Sequence, residues 1–113
     1  MAEFISFQPS DFMSTLLYTG NGTAIGSNAV TGVGFAPDAT WIKQFSASRI
    51  PAMWDTVRGV EQVVRPSSNA IDSTVGEGLT TFGADGFTLG DEESVNADTG
   101  GFVSWNWKCG TTS

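Results

Sequence analysis

The sequence predicts an all-β fold: one antiparallel domain of seven or eight short strands, arranged as a sandwich, jelly roll or small barrel. Three observations predict it. Apolar residues nowhere recur at i, i+3, i+4 and i+7 over a dozen positions, so no long amphipathic helix is encoded. Turn signals made of Gly, Asn, Asp and Pro fall roughly 8–12 residues apart. Between them lie runs rich in β-branched and aromatic residues, the types that pack best on a pleated surface.

Residues 3–7 are strand-like. Gln8-Pro9-Ser10-Asp11-Phe12 reads as a single helical turn or loop, with Pro9 in the first turn and Ser10 or Asp11 as cap. Residues 1–12 therefore form an N-terminal arm or lead-in to a module spanning 1–113. A strand over 14–19 is closed by Gly20-Asn21-Gly22, where Asn-Gly signals a tight turn. Asn21-Gly22-Thr23 also fits a glycosylation sequon but reads as part of that turn. Residues 25–33 are broken by glycine and read as a loop entering a short strand. Pro37-Asp38 then sets a turn, because proline presets φ and aspartate bonds the backbone beyond it. The strand Thr40-Trp41-Ile42-Lys43-Gln44-Phe45 follows, with Lys43 falling between Trp41 and Phe45 on one face.

Further strands are expected over 52–57, 62–65, 79–82 and 86–89, with turn clusters at 58–59, 66–69, 83–86 and 90–91. The last strand, 102–109, alternates most regularly. Its apolar set, Val103, Trp105, Trp107 and Cys109, is expected to face the core. Phe102, Ser104, Asn106 and Lys108 are expected on the wet side. Gly110-Thr111-Thr112-Ser113 is linker-like, either the end of the protein or the link to a further module.

Composition narrows the function. With 113 residues, the chain makes one domain that buries about two-thirds of its unfolded surface. Eight Phe, four Trp and one Tyr supply the core. Charged residues make up 15%, against about 25% in average domains, so hydroxyls and backbone carry much of the surface polarity. That balance fits an extracellular or virion-like β-protein. Five basic against twelve acidic residues give a net charge of −7. Nucleic-acid binding then lacks its main source of affinity, and anionic membranes repel the chain. No run reaches the roughly 18–20 apolar residues of a membrane span, and residues 1–4 do not begin a secretory signal. A single cysteine, Cys109, makes no internal disulfide and is expected as a small buried hydrophobe.

Catalytic chemistry is hard to build from these residues. There is no histidine, which removes Ser-His-Asp and Cys-His catalysis and most catalytic zinc sites. Gly20-Asn21-Gly22 and Gly32-Val33-Gly34 lack the Gly-Lys-Ser/Thr of a phosphate-binding loop. Two carboxylates suffice for glycoside hydrolysis, but almost all the acids lie beside turns. The expectation is a non-enzyme with no catalytic residues and no cofactor. Asp91, Glu93, Asn96 and Asp98 offer oxygens of the kind calcium takes. Their spacing fits no EF-hand loop, and a solvated hairpin loop is the preferred reading, with no metal. Asp55 and Arg58 bracket the end of one strand near Lys43, as an ion pair pinning the chain or as a polar ligand contact. In the second case Trp54 and Arg58 are the candidate ligand-binding residues, an indole face beside a planar hydrogen-bond donor.

Four segments follow one another in order. They are Tyr18-Thr19-Gly20-Asn21-Gly22 and the run from Thr31 through Gly34-Phe35-Ala36-Pro37-Asp38 to Trp41-Ile42-Lys43. Then come Asp55-Thr56-Val57-Arg58-Gly59 and Asp85-Gly86-Phe87-Thr88-Leu89-Gly90, with Trp105-Asn106-Trp107-Lys108 closing the chain. Together, over about residues 6–110, they resemble a β-rich module of virion structural and tail-fibre proteins of tailed phages, especially phages of marine bacteria. Cys109 departs from the pattern, which has a small residue there. The resemblance implies a lectin-like or jelly-roll sandwich in a virion protein, with no catalytic residues to carry over. The expected role is a tail-fibre or tail-associated module for assembly or host-surface attachment. The alternatives are a trimeric capsid decoration protein and a carbohydrate-binding module. Expected partners are other virion proteins, copies of the same chain in a trimer, and a host surface glycan.

Overall fold

The computed structural model describes residues 12–22, 28–60, 62–65, 73–74 and 78–109. Among these residues nine strands and one short helix follow in order: β1 (Met13–Thr19), β2 (Asn28–Thr31), β3 (Ala39–Gln44), β4 (Ala52–Asp55), β5 (Gln62–Val63), β6 (Ser73–Thr74), β7 (Leu79–Phe82), β8 (Gly86–Leu89), α1 (Glu93–Asn96) and β9 (Gly101–Trp107). One sheet runs β1-β9-β3-β4 and a second β2-β8-β7, with β5 and β6 as a separate ribbon. All these pairs are antiparallel. The two larger sheets pack together as a sandwich, as expected. Residues 3–7 and the turn at 8–11, the cluster at 66–69 and the tail at 110–113 lie outside the described residues.

The core is apolar and drawn from both sheets. Ile42, Ala52, Trp54 and Phe102 of the larger sheet meet Val30, Leu79, Phe87 and Leu89 of the smaller, with Val63 and Val95. Tyr18 stacks on Phe102 at 5.2 Å and sets its edge against Phe87 at 6.1 Å. One face of each strand is therefore committed inward, as a period of two requires.

The face of β9 is the reverse of the expectation. Phe102, Ser104 and Asn106 are fully buried, and Val103, Trp105 and Trp107 are half-buried on the outer side. A one-residue shift of phase turns every side chain over, and counting apolar residues chose the wrong phase. The buried polar groups are satisfied instead. Thr40 Oγ1 donates to Asn106 Oδ1 at 3.0 Å, and Asn106 Nδ2 donates to Ser104 Oγ and to the Ser14 carbonyl. Cys109, expected inside, lies exposed just past the strand. The expected hairpin loop at 91–98 contains α1. There Glu92 caps the Ser94 amide, and Ser94, Val95 and Asn96 are buried.

The ordered motifs turn out to be joints. Asp85 accepts from the Gly32 and Gly34 amides at 3.1 and 2.6 Å, while its carbonyl takes the Val33 amide. Gly32 and Gly34 sit at φ +99° and +94°, the left-handed region glycine enters without strain. Asp38 donates its amide to the Trp107 carbonyl, accepts the Thr56 amide on its own carbonyl, and takes the Cys109 amide on Oδ2. Asp55 Oδ1 accepts the Arg58 amide at 2.7 Å and Oδ2 pairs with Arg58 Nε at 3.2 Å, closing the turn after β4. Each acidic turn residue thus ties its own loop or a distant strand end.

Candidate functional site

Both ends of Tyr18-Thr19-Gly20-Asn21-Gly22 converge on α1. The Tyr18 hydroxyl donates to the Val95 carbonyl at 2.7 Å. Burial pushes that hydroxyl well above its ordinary pKa, since the phenolate would be desolvated. Asn96 is the hub. Its Oδ1 accepts from the Asn21 amide at 3.0 Å and Asn28 Nδ2 at 2.6 Å. Its Nδ2 donates to Asn21 Oδ1 and to the Gly90 carbonyl. A side chain with two donors and two acceptor lone pairs is then fully used.

That settles the positions of the calcium candidates. Asn96 has no oxygen left to offer, Glu93 pairs with Arg49 at 2.7 Å on the surface, and Asp91 and Asp98 are exposed. Among the described residues no three acidic or cysteine side chains gather into a cluster that would hold a metal. The ligand candidates separate as well. Trp54 is wholly buried beneath the sheet and offers no ring face to solvent, while Arg58 is exposed and turned to Asp55. The two do not form one surface. Lys43 donates from Nζ to the Gln44 carbonyl.

The surface that stands out is the outer face of the four-stranded sheet. Register places Trp41 opposite Trp105, Trp107 between Met13 and Ala39, and Val103 between Leu17 and Lys43. Met53 lies across from Trp41 on the other side. The indoles of Trp41 and Trp105 meet at 5.8 Å, tilted by 54°. At the far end, a Cβ on Gly101 would lie 2.5 Å from the Phe45 ring, so the tip of that ring sits against the bare glycine of β9. Leu17 is 72% exposed, Phe45 62% and Met13 42%. Scattered exposed hydrophobes are normal, but a contiguous apolar patch marks a contact surface. Sequence reasoning missed it because Trp105 and Trp107 were assigned to the core. The signal was Lys43, which shares a face with Trp41 and Phe45.

Chemically this face is quiet. Its outward positions carry a single lysine and a single aspartate, Lys43 and Asp55, and both are already engaged. It can bury apolar area and stack rings; it has no nucleophile paired with a base. A family described as a domain of unknown function (DUF7483) matches residues 8–113. No curated protein and no solved structure matches the chain.

Proposed function

We propose that this chain, which belongs to the DUF7483 family, is a non-enzymatic structural module of a phage virion, acting through protein contact rather than chemistry. The observation that carries this reading is the outer sheet face, where Trp41, Trp105, Trp107, Val103 and Leu17 make an apolar surface without reactive groups. The joints at Asp38, Asp55 and Asp85 support it, because the ordered motifs behind the phage resemblance serve to stiffen loops. A tail-fibre or tail-associated position is the favoured site, for assembly or host attachment, and head decoration is the alternative. Absolute quantification of the protein in purified virions separates them. Tail-level copy number is the expected result; hundreds of copies on heads would sink the tail assignment, and absence from the particle would sink the virion reading altogether.

A second reading has its own observation. Three half-buried indoles on one sheet face offer rings of the kind on which sugars stack, so host glycan binding is its content. It moves the candidate residues from Trp54 and Arg58 to Trp41, Trp105 and Trp107. A glycan array probed with the chain and with Trp105→Ala tests it. Binding lost in the variant supports it, and an array without hits counts against it.

A further inference from the structure

The geometry points to a second copy of this chain as the occupant of the outer face, two faces packing sheet on sheet about a two-fold axis. This rests on reading that face as an assembly surface and names what covers it. Charge is the first argument. Two copies with a net charge of −7 repel one another. They meet with least repulsion through a face whose outward positions hold only Lys43 and Asp55, a pair of opposite sign.

Shape is the second argument. Among the described residues the exposed large apolar side chains are Phe12, Met13, Leu17, Phe45, Ile50 and Val57. Met13, Leu17 and Phe45 lie on the face and Phe12 at its end. Ile50 follows Phe45 in the connection before β4, and Val57 lies in the turn after it. A head-to-tail contact needs two unlike matching patches, whereas a two-fold contact needs one patch that matches itself. The described surface supplies one. A three-fold ring, the symmetry expected at the level of sequence, would require a second, unlike patch, and the described residues show one face of this kind.

Area is the third argument. The four strands have seven, seven, six and four residues; at about 3.3 Å per residue and about 4.8 Å between strands they cover roughly 380 Å². Two such faces, with the relief of their side chains, approach the roughly 1,000 Å² of a specific contact. Packed aligned at about 30° and about 10 Å apart, they would interleave their indoles as the inner faces of a sandwich do. A glycan fits less well, because the two charged groups on the face, Lys43 and Asp55, are already bonded within the chain.

Sedimentation equilibrium of the full chain over a wide concentration range tests the proposal, with Leu17→Asp, Phe45→Ser and Val57→Asp alongside. The wild type is expected at twice the chain mass, with its tryptophans becoming less accessible to a neutral quencher as dimer forms. Leu17→Asp should weaken association by at least about 100-fold, equivalent to about 2.7 kcal/mol, and Phe45→Ser should weaken it too. Leu17 and Phe45 are exposed, so circular dichroism should show both variants folded. Val57→Asp should leave association unchanged. A monomer at every concentration, a trimer, or a dimer indifferent to both face variants overturns the proposal, as does a monomer whose face binds glycans. None of these outcomes bears on virion copy number, so the virion reading stands or falls separately.

Discussion

Asn96 shows how much one side chain can carry. Its amide joins the turn after β1, the start of β2 and the chain leaving β8. Asn96→Ala removes four hydrogen bonds and leaves the buried Gly90 carbonyl unpaired, and should cost about 3 kcal/mol in urea denaturation. Asn96→Asp keeps the volume but loses both donors, and should cost nearly as much at neutral pH. Thr99 is the opposite case, a β-branched residue at φ 60° whose hydroxyl bonds only the neighbouring Asp98 carbonyl. Such a residue is strained in the left-handed region, so Thr99→Gly should stabilise the fold by about 0.5–1 kcal/mol, read as a higher urea midpoint. Tyr18 contributes a pH dependence. Its folded pKa lies above the unfolded value of 10.0. The native state therefore keeps its proton where the unfolded state loses it. The contribution is complete below pH about 10 and declines above it, at up to about 1.4 kcal/mol per pH unit. Tyr18 is the chain's one tyrosine, so tyrosinate absorbance reports it alone. That signal should appear together with alkaline unfolding, and Tyr18→Phe should remove the extra slope.

At the level of elements, the sequence was a good guide to where strands lie and a poor one to how they face. β1, β3, β7 and β8 fall within a residue of expectation, because Gly, Pro, Asn and Asp fix the ends and β-branched or aromatic residues fill the runs. β6 was missed, since two residues of Ser-Thr carry no periodic signal. α1 was missed for the same reason, being a single turn. The face of β9 was misread because a sandwich strand bearing Trp on one side and Phe-Ser-Asn on the other looks wet on the polar side. Only pairing with Thr40 and Ser14 shows that the polar side is satisfied inside. The candidate site was illegible for that reason. The joints were legible as turns but not as long-range ties. Asp85→Ala, which frees the Gly32 and Gly34 amides, should cost about 1–2 kcal/mol and loosen residues 32–34 in hydrogen exchange. Gly86→Ala should be far worse. Its Cβ would fall onto the Val30 carbonyl, so β2 and β8 could not stay paired.

Among the described residues, an internally tied frame carries an apolar sheet face with few charges. Those properties suit the contact role proposed for it. The acids that stand in conspicuous motifs, Asp38, Asp55 and Asp85, accept backbone amides. The arrangement has a further consequence in time. β9 comes last of the strands, yet it lies in the middle of its sheet, with β1 on one side and β3 on the other; Met13 pairs with Trp107 across nearly the whole chain. During synthesis β1 and β3 must wait beside an empty slot, and the large sheet cannot close until residues 101–107 have left the ribosome. Such long-range closure belongs to the slow, millisecond-to-second folders. A chain stopped at residue 100 should show little sheet by circular dichroism, and supplying residues 101–109 as a peptide is the direct way to ask whether the slot is already formed.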